Sequence, residues 1–525
     1  MIIYTITAVS AILFINASDI LWGVVVVGVS AYIFYTLRDK INSILNDLQR
    51  LKGPTSAVLS QTDWYINSKT GDDKKDGKSD ANALRTFAEL SRRWGKGNVL
   101  SPNGANKTVT VHILANLPST DPLNFDVILD DKVDLRFVGY PTSSHFTVSA
   151  IRQRNRANNL PCQLTTGGGI EVGKRINYTK YKDDNMEVVY RVYMWVLKDE
   201  GSNKFRVSES LMMPATGFLL NGYRQDVNEH TGDFYLQTLT DVKTGSMRVG
   251  SVRTPITSLV RNSLVFQDLN ITGDIGPTLD MGSELYCFGC SIQGSIQLSS
   301  GFARNFVNCY HNSTGQPIRI TSGLTRFIGG GYIYNNVTGE KSLDGQGFLP
   351  TNCTTQFDFD VIFQGHSISI VAGNTLILGR VGIFDSIPGG NGKSNLKGNG
   401  IMVSGGSVTC RNLTEIPPTP QDSTHHLWGS GQTGYGVGVS SGGRFYFVSN
   451  PPTITGKAGT PNEDLNKNFI LGGSSTFYEP KNDGTFEPAK DNKWSNLIIP
   501  QPAGTPPKFR NACNPISDSW ILQAE

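Results

Sequence analysis

Between Val265 and Gly365 apolar and polar positions recur at nearly constant spacing. The segments VFQDLNITG from Val265, YCFGCSIQG from Tyr286, FVNCYHNSTG from Phe306, FIGGGYIYN from Phe327 and FDFDVIFQG from Phe357 begin 21, 20, 21 and 30 residues apart. Each is a short strand-forming run, and the last, longer step leaves room for an inserted loop. One such unit cannot bury its own apolar side, whereas stacked units bury a continuous one, so the pattern predicts the coils of a solenoid. Aligning the starts puts Val265, Tyr286, Phe306, Phe327 and Phe357 in one inward column. The closing Gly273, Gly294, Gly315 and Gly365, with Asn335 in the fourth copy, mark a tight bend between faces. The expected fold class is all-β: a right-handed parallel β-helix, with its main body over residues 261–460.

Similar runs at Thr108–Ala115 and Lys132–Gly139 assign residues 101–174 to the first coils. Runs at Ser367–Gly379, Gly400–Cys410 and Gly443–Val448 continue the body. Longer strands at Glu187–Leu197 and Phe234–Leu239 break the rhythm, so residues 175–260 read as an inserted antiparallel lobe. The Pro- and Asn-rich residues 461–525 read as an extended C-terminal arm.

The N-terminal pattern is different. Residues 1–36 hold a single charged side chain, Asp19, and Ile20–Thr36 is nearly long enough to cross the hydrocarbon core of a bilayer. This predicts a transmembrane helix, crossing once or as a hairpin at Asn16–Asp19. No positive leader or small-residue cleavage site is evident, so the segment reads as a retained anchor, and Arg38 and Lys40 on its C-terminal side favour a cytoplasmic body. Phe34, Leu37, Ile41, Ile44, Leu48 and Leu51 then alternate at spacings of 3 and 4, the seam of a coiled coil ending at Gly53-Pro54. Residues 37–53 are thus a short stalk in which Leu37, Ile41, Ile44, Leu48 and Leu51 hold strands together, with a homotrimer expected.

Residues 54–100 read as a linker and cap. Trp64–Asn67 is a short strand, Gly71–Gly77 is a turn, and Thr86–Gly95 is a complete helix with a capping box at Thr86 and Glu89, cations at Arg92 and Arg93, and a left-handed stop at Gly95. Asp72, Asp76 and Gly77 imitate part of a calcium loop, but Lys74 stands where an oxygen ligand is needed, so a solvated turn is the reading. In order, Trp64-Tyr65-Ile66-Asn67, Thr70-Gly71-Asp72-Asp73, Asp76-Gly77-Lys78-Ser79 and Leu84-Arg85-Thr86-Phe87-Ala88-Glu89-Leu90 resemble the opening region of pectate-lyase-like right-handed β-helix proteins of the phage tailspike and virion spike type. The resemblance implies a fold and a virion setting and carries over no catalytic residue.

Composition narrows the partners. A formal charge of +3 over 525 residues offers no field for nucleic acid. The seven scattered cysteines read as reduced thiols, with the lone Cys287/Cys290 pair as small apolar filler and not a zinc site. No metal or cofactor is expected. Eight Asn-x-Ser/Thr sequons arise naturally in a chain this rich in those residues.

Three pieces of candidate chemistry remain. Asp358 and Asp360, alternating with Phe357, Phe359, Val361 and Phe363, form the carboxylate pair a glycosidase would need, though a solvated strand face arranges aspartates the same way. Arg152, Arg154 and Arg156 alternate along one segment as a basic comb for an acidic glycan or a capsid partner would, though a solvated or inter-subunit salt-bridged face is the favoured reading. Gly438-Val439-Ser440-Ser441-Gly442 matches GxSxG, but a strand is expected to follow it where a nucleophile elbow needs a helix. These readings favour a structural virion protein: a membrane-anchored trimeric spike or fibre for attachment or vertex architecture, contacting lipid through residues 1–36, other virion proteins and a host surface glycan. A tailspike-type enzyme cleaving surface polysaccharide is the alternative, and a cell-surface adhesin the third.

Overall fold

The computed structural model describes residues 58–334 apart from short connecting segments (104–106, 153–161, 183–186, 209–210, 213–222, 225–231, 253–261, 281–282, 302, 314–317 and 321–323), and beyond 334 the backbone of strands between Gln346 and Trp520. The expected membrane segment and stalk lie outside the described residues. Among the described residues no helix is long and apolar enough to cross a membrane.

The body is a parallel β-helix with three runs of stacked strands. The first face stacks Asp63–Ile66, Thr108–Ile113, Asp134–Gly139, Asn262–Gln267, Ser283–Phe288 and the leading halves of Ala303–Ser313 and Leu324–Tyr334, then continues through Thr354–Asp358, Asn374–Ile377, Ser407–Cys410 and Arg444–Phe447. The second begins with Thr240–Lys243 and runs through Leu269–Thr272, Ser291–Gln293 and the trailing halves of the two long strands. The third starts with Val58–Leu59, Val99–Leu100 and Leu123–Leu129, so the solenoid already begins inside the expected cap. Farther along, Ile401–Ser404, Val437–Ser440, Phe469–Leu471 and Leu497–Ile498 stack in a parallel sheet of their own, so apolar runs within the expected arm still stack.

The inward column differs by one residue from the sequence reading. Phe266 pairs with Cys287, Cys287 with Phe306, Phe306 with Phe327 and Phe327 with Phe357. Phe137 joins at the start, stacked on Phe266 at 5.4 Å, and Phe306 lies on Phe327 at 5.2 Å. Val265 and Tyr286 therefore point outward, where they form a second buried apolar cluster with Phe288, Val307 and Ile328. With both faces apolar, alternation does not reveal which residues turn inward. Cys287, Cys290 and Cys309 are buried free thiols in the main core. Gly273 does stack on Gly294, whose added Cβ would lie 2.1 Å from the Gly273 carbonyl oxygen. The next positions in that column are Ser313 and Tyr334, not Gly315 and Asn335.

The corner between the first two faces is a ladder of left-handed residues: Asp268, Gly289, Asn308 and Gly329 all have φ between 48° and 63°. Asn and Asp tolerate that region better than other non-Gly residues, which explains their place beside glycines.

One helix closes the opening end. In Phe87–Trp94, Phe87, Leu90 and Trp94 are buried against Phe125 and Phe137. Thr86 Oγ1 accepts from the Glu89 amide, half of the expected capping box. The Glu89 carboxylate turns instead to Arg92 and Arg93. Asp73 accepts from the Thr86 amide, and the distant Asp121 accepts from those of Phe87 and Ala88.

The antiparallel lobe runs from Thr142 to Thr238, not from 175 to 260: Thr142–Phe146, Asp233–Thr238, Arg175–Lys182 and Glu187–Asp199 form one series, and Lys204–Val207, Gln163–Thr166 and Val148–Arg152 continue it. Its first strands are short and polar, which hid them in the sequence. The chain leaves the solenoid after Gly139 and rejoins it at Thr240, where the Tyr140 amide donates to Thr240 Oγ1 at 2.9 Å.

Candidate functional site

The outer side of the first face places chemistry in register. Asp134 pairs with Ser263 and Ser263 with Glu284. Arg136, Val265 and Tyr286 form the neighbouring row. These residues approach one another only because the chain returns after the lobe and lays Asn262–Gln267 beside Asp134–Gly139. Two rungs separate the Asp134 and Glu284 backbones by about 9.6 Å, since neighbouring strands lie about 4.8 Å apart.

The electrostatics of the two acids differ. Burial pushes the Asp134 carboxyl up to about 6; Arg136 and a Ser263 hydrogen bond oppose the shift, and the Glu284 charge adds to it. Arg136 Nη2 is 3.7 Å from Asp134 Oδ2, with the Asp134 side chain 19% exposed. The Tyr286 hydroxyl donates to Glu284 Oε2, and burial followed by this bond raises the Tyr286 phenol well above its ordinary range. Tyr286 also stacks on Phe288 at 5.7 Å. The result is an acid that keeps its proton up to about pH 6, a second carboxyl oriented by a phenol, a guanidinium and an aromatic stack on one rigid face.

The lobe is fixed beside this face. Arg175, 1% exposed, donates through Nη1 to Asp268 Oδ1 and to the Gly289 carbonyl, and through Nε to Gln237. Trp195 Nε1 donates to the Asn308 carbonyl at 2.8 Å and its ring stacks on Tyr310 at 5.4 Å. The left-handed corner thus offers the carbonyls and carboxylate that the lobe grips.

The residues singled out in the sequence fall elsewhere. Asp358 ends the strand Thr354–Asp358, its backbone in register with Ile328, while Asp360 lies outside the described residues. Arg152 is exposed at the end of Val148–Arg152 in the lobe, and Arg154 and Arg156 lie outside the described residues. Leu37, Ile41, Ile44, Leu48 and Leu51 also lie outside them. Gly438–Ser440 belongs to a strand followed by the strand Arg444–Phe447. The Asp72 and Asp76 side chains accept amides two residues on, as turn-forming aspartates do. Among the described residues no group of three or more His, Cys, Asp and Glu side chains could hold a metal ion.

No protein-family profile matches the chain, and no curated protein matches it. Among solved structures it is similar to the Gp54 tailspike of Acinetobacter baumannii bacteriophage AP22, solved in complex with A. baumannii capsular saccharide, at 12% identity and a TM-score of 0.27 over 80% of this chain and 77% of that one. It is also similar to the tailspike protein gp49 from Pseudomonas phage LKA1, at 9% identity and a TM-score of 0.16 over 74% and 75% of the two chains. A third neighbour is the GH136 lacto-N-biosidase from Eubacterium ramulus, at 8% identity and a TM-score of 0.16 over 76% and 71%.

Proposed function

We propose that this chain is a spike of a phage particle that binds a host surface polysaccharide along the outer side of its first face. The observation that carries the reading is the Asp134–Ser263–Glu284 row with Arg136 and Tyr286 beside it. The partly exposed Asp134 and Arg136 offer a carboxylate and a guanidinium to sugar hydroxyls, the buried Tyr286 orients Glu284 from behind, and a solenoid holds them without ordering cost. Residues 1–36 would anchor the spike in a membrane and residues 37–53 would join three copies, with other virion proteins as neighbours. The test is binding of the full chain to a panel of capsules and lipopolysaccharides. Asp134→Asn and Glu284→Gln should each weaken the responding glycan at least tenfold; two folded variants that bind as the parent does would remove the site.

A second reading is favoured by one observation, the elevated carboxyl of Asp134 two rungs from Glu284. In an inverting glycosidase the acid protonates the leaving oxygen while the second carboxylate activates water, with roughly 6.5–9.5 Å between the carboxyl groups. Asp134 suits the first role and Glu284 the second. This reading replaces Asp358 and Asp360 as the preferred pair. It predicts new reducing ends from the bound glycan that vanish in both variants; binding without release leaves attachment alone.

A further inference from the structure

A separate cluster sits at the opening end of the solenoid, where the lobe departs. Asp63 comes from Asp63–Ile66, His112 from Thr108–Ile113, and Tyr140 follows Asp134–Gly139 directly. His112 Nε2 is 3.0 Å from Asp63 Oδ1, and His112 Nδ1 is 2.6 Å from the Tyr140 hydroxyl. Tyr65 stacks on the imidazole at 4.3 Å and 14°, which fixes its rotation.

The partners assign the protons. The Asp63 carboxyl is held below its ordinary range: burial would raise it, but hydrogen bonds from His112 and Thr62 and the His112 charge outweigh that. A carboxylate can only accept, so Nε2 carries the hydrogen, and whenever the ring is neutral Nδ1 presents a lone pair to the phenolic O–H. Burial, with Tyr65, Asp63 and Asp80 nearby, raises the Tyr140 phenol, so it keeps its proton at neutral pH and reacts only where a base removes it. Tyr140 is 46% exposed, so a reagent reaches it. A nucleophile within 2.6–3.2 Å of a base that a third group orients is the arrangement of an activated nucleophile.

We infer that Asp63, His112 and Tyr140 form a nucleophilic relay in which the Tyr140 hydroxyl takes an acyl group from an ester. Oη attacks the ester carbonyl carbon while its proton passes to His112 Nδ1. The bond to the ester's alkoxy oxygen breaks, and the departing alkoxide takes that proton. Asp63 stays ionised and supports the transient imidazolium, and the product is an aryl ester on Tyr140. Neither the glycan reading nor the Asp134–Glu284 row enters this assignment.

The test uses p-nitrophenyl acetate on the full chain, reading nitrophenolate release and mapping the acetyl group by peptide mass spectrometry. Acetylation at Tyr140 should outpace that at other surface tyrosines by about a hundredfold, the usual scale of general-base assistance. Tyr140→Phe should abolish the adduct. His112→Gln, which keeps a hydrogen-bonding side chain but no base, should bring Tyr140 down to the rate of the other tyrosines. Asp63→Asn, checked for an unchanged circular dichroism spectrum, should slow it at least tenfold. Tyr140 reacting no faster than other tyrosines, or at an unchanged rate in folded His112→Gln or Asp63→Asn, overturns the relay.

Discussion

Replacing Asp134 with Asn should make the protein more stable at pH 8 and leave it unchanged at pH 4. The carboxyl titrates at about 6 in the fold against 3.8 for a free side chain. At 1.36 kcal/mol per unit, that gap corresponds to about 3 kcal/mol of penalty on the ionised form. The side chain keeps a fifth of its surface in water, and screening there halves the figure to about 1.5 kcal/mol. Because the folded pKa is raised, the folded state holds the proton more tightly than the unfolded one. The penalty is absent below about pH 4, grows between 4 and 6, and is complete above 6. Asparagine removes it, and because the raised pKa is already net of the opposing Arg136 attraction, nothing more is subtracted. The net gain at pH 8 is about 1.5 kcal/mol. Urea midpoints of parent and variant, compared from pH 4 to pH 8, measure it, and titrating groups not coupled to Asp134 cancel in the difference. A variant less stable than the parent at pH 8, or a difference flat with pH, would refute the reasoning. The acid would then be an ordinary solvated ion and not a poised one.

Phe306→Asp should fail to fold, and Phe306→Ala should cost about 3–5 kcal/mol, because Phe306 is fully buried on Phe327; a cooperative native transition for the Asp variant would show the inward register to be wrong. Gly294→Ala should cost about 2–3 kcal/mol, read as a lowered urea midpoint, since its methyl would meet backbone oxygen at 2.1 Å. Arg175→Ala strands Asp268 and should cost about 3 kcal/mol; limited proteolysis should then release the lobe from an intact solenoid, whereas the parent resists. Removing residues 1–53 should yield a body with unchanged β content that stays soluble without detergent, checked by circular dichroism and sedimentation.

The sequence carried the solenoid because its repeats are local: Phe306, Phe327 and Phe357 recur along the chain and pair in register. It could not carry the first part of that column, since Val265 and Phe266 are both buried, on opposite sides of one strand. The helix at Phe87–Trp94 was legible in its caps, yet the Asp121 carboxylate that holds its first amides comes from a distant turn. The candidate site was illegible for the same reason. Asp134 and Glu284 are brought within two rungs by the return of the chain after the lobe, and no local pattern announces that return. The lobe's start was misplaced because Thr142–Phe146 is almost wholly exposed and has no apolar alternation to mark it. A relay such as Asp63–His112–Tyr140 needs three strands stacked before its members meet.

The short gap between Gly139 and Thr240 has a consequence for descent. Because the chain departs and returns at one hydrogen-bonded point, the rungs above and below it keep their register whatever is spliced between them. The solenoid places no demand on the length of the insert. Only the seam does: a replacement must bring a cation for Asp268 and the Gly289 carbonyl, a donor for the Asn308 carbonyl and a flat ring for Tyr310. Recombination at this junction would exchange a whole lobe in one event, so the side appendage and the shaft can have separate ancestries within a single gene.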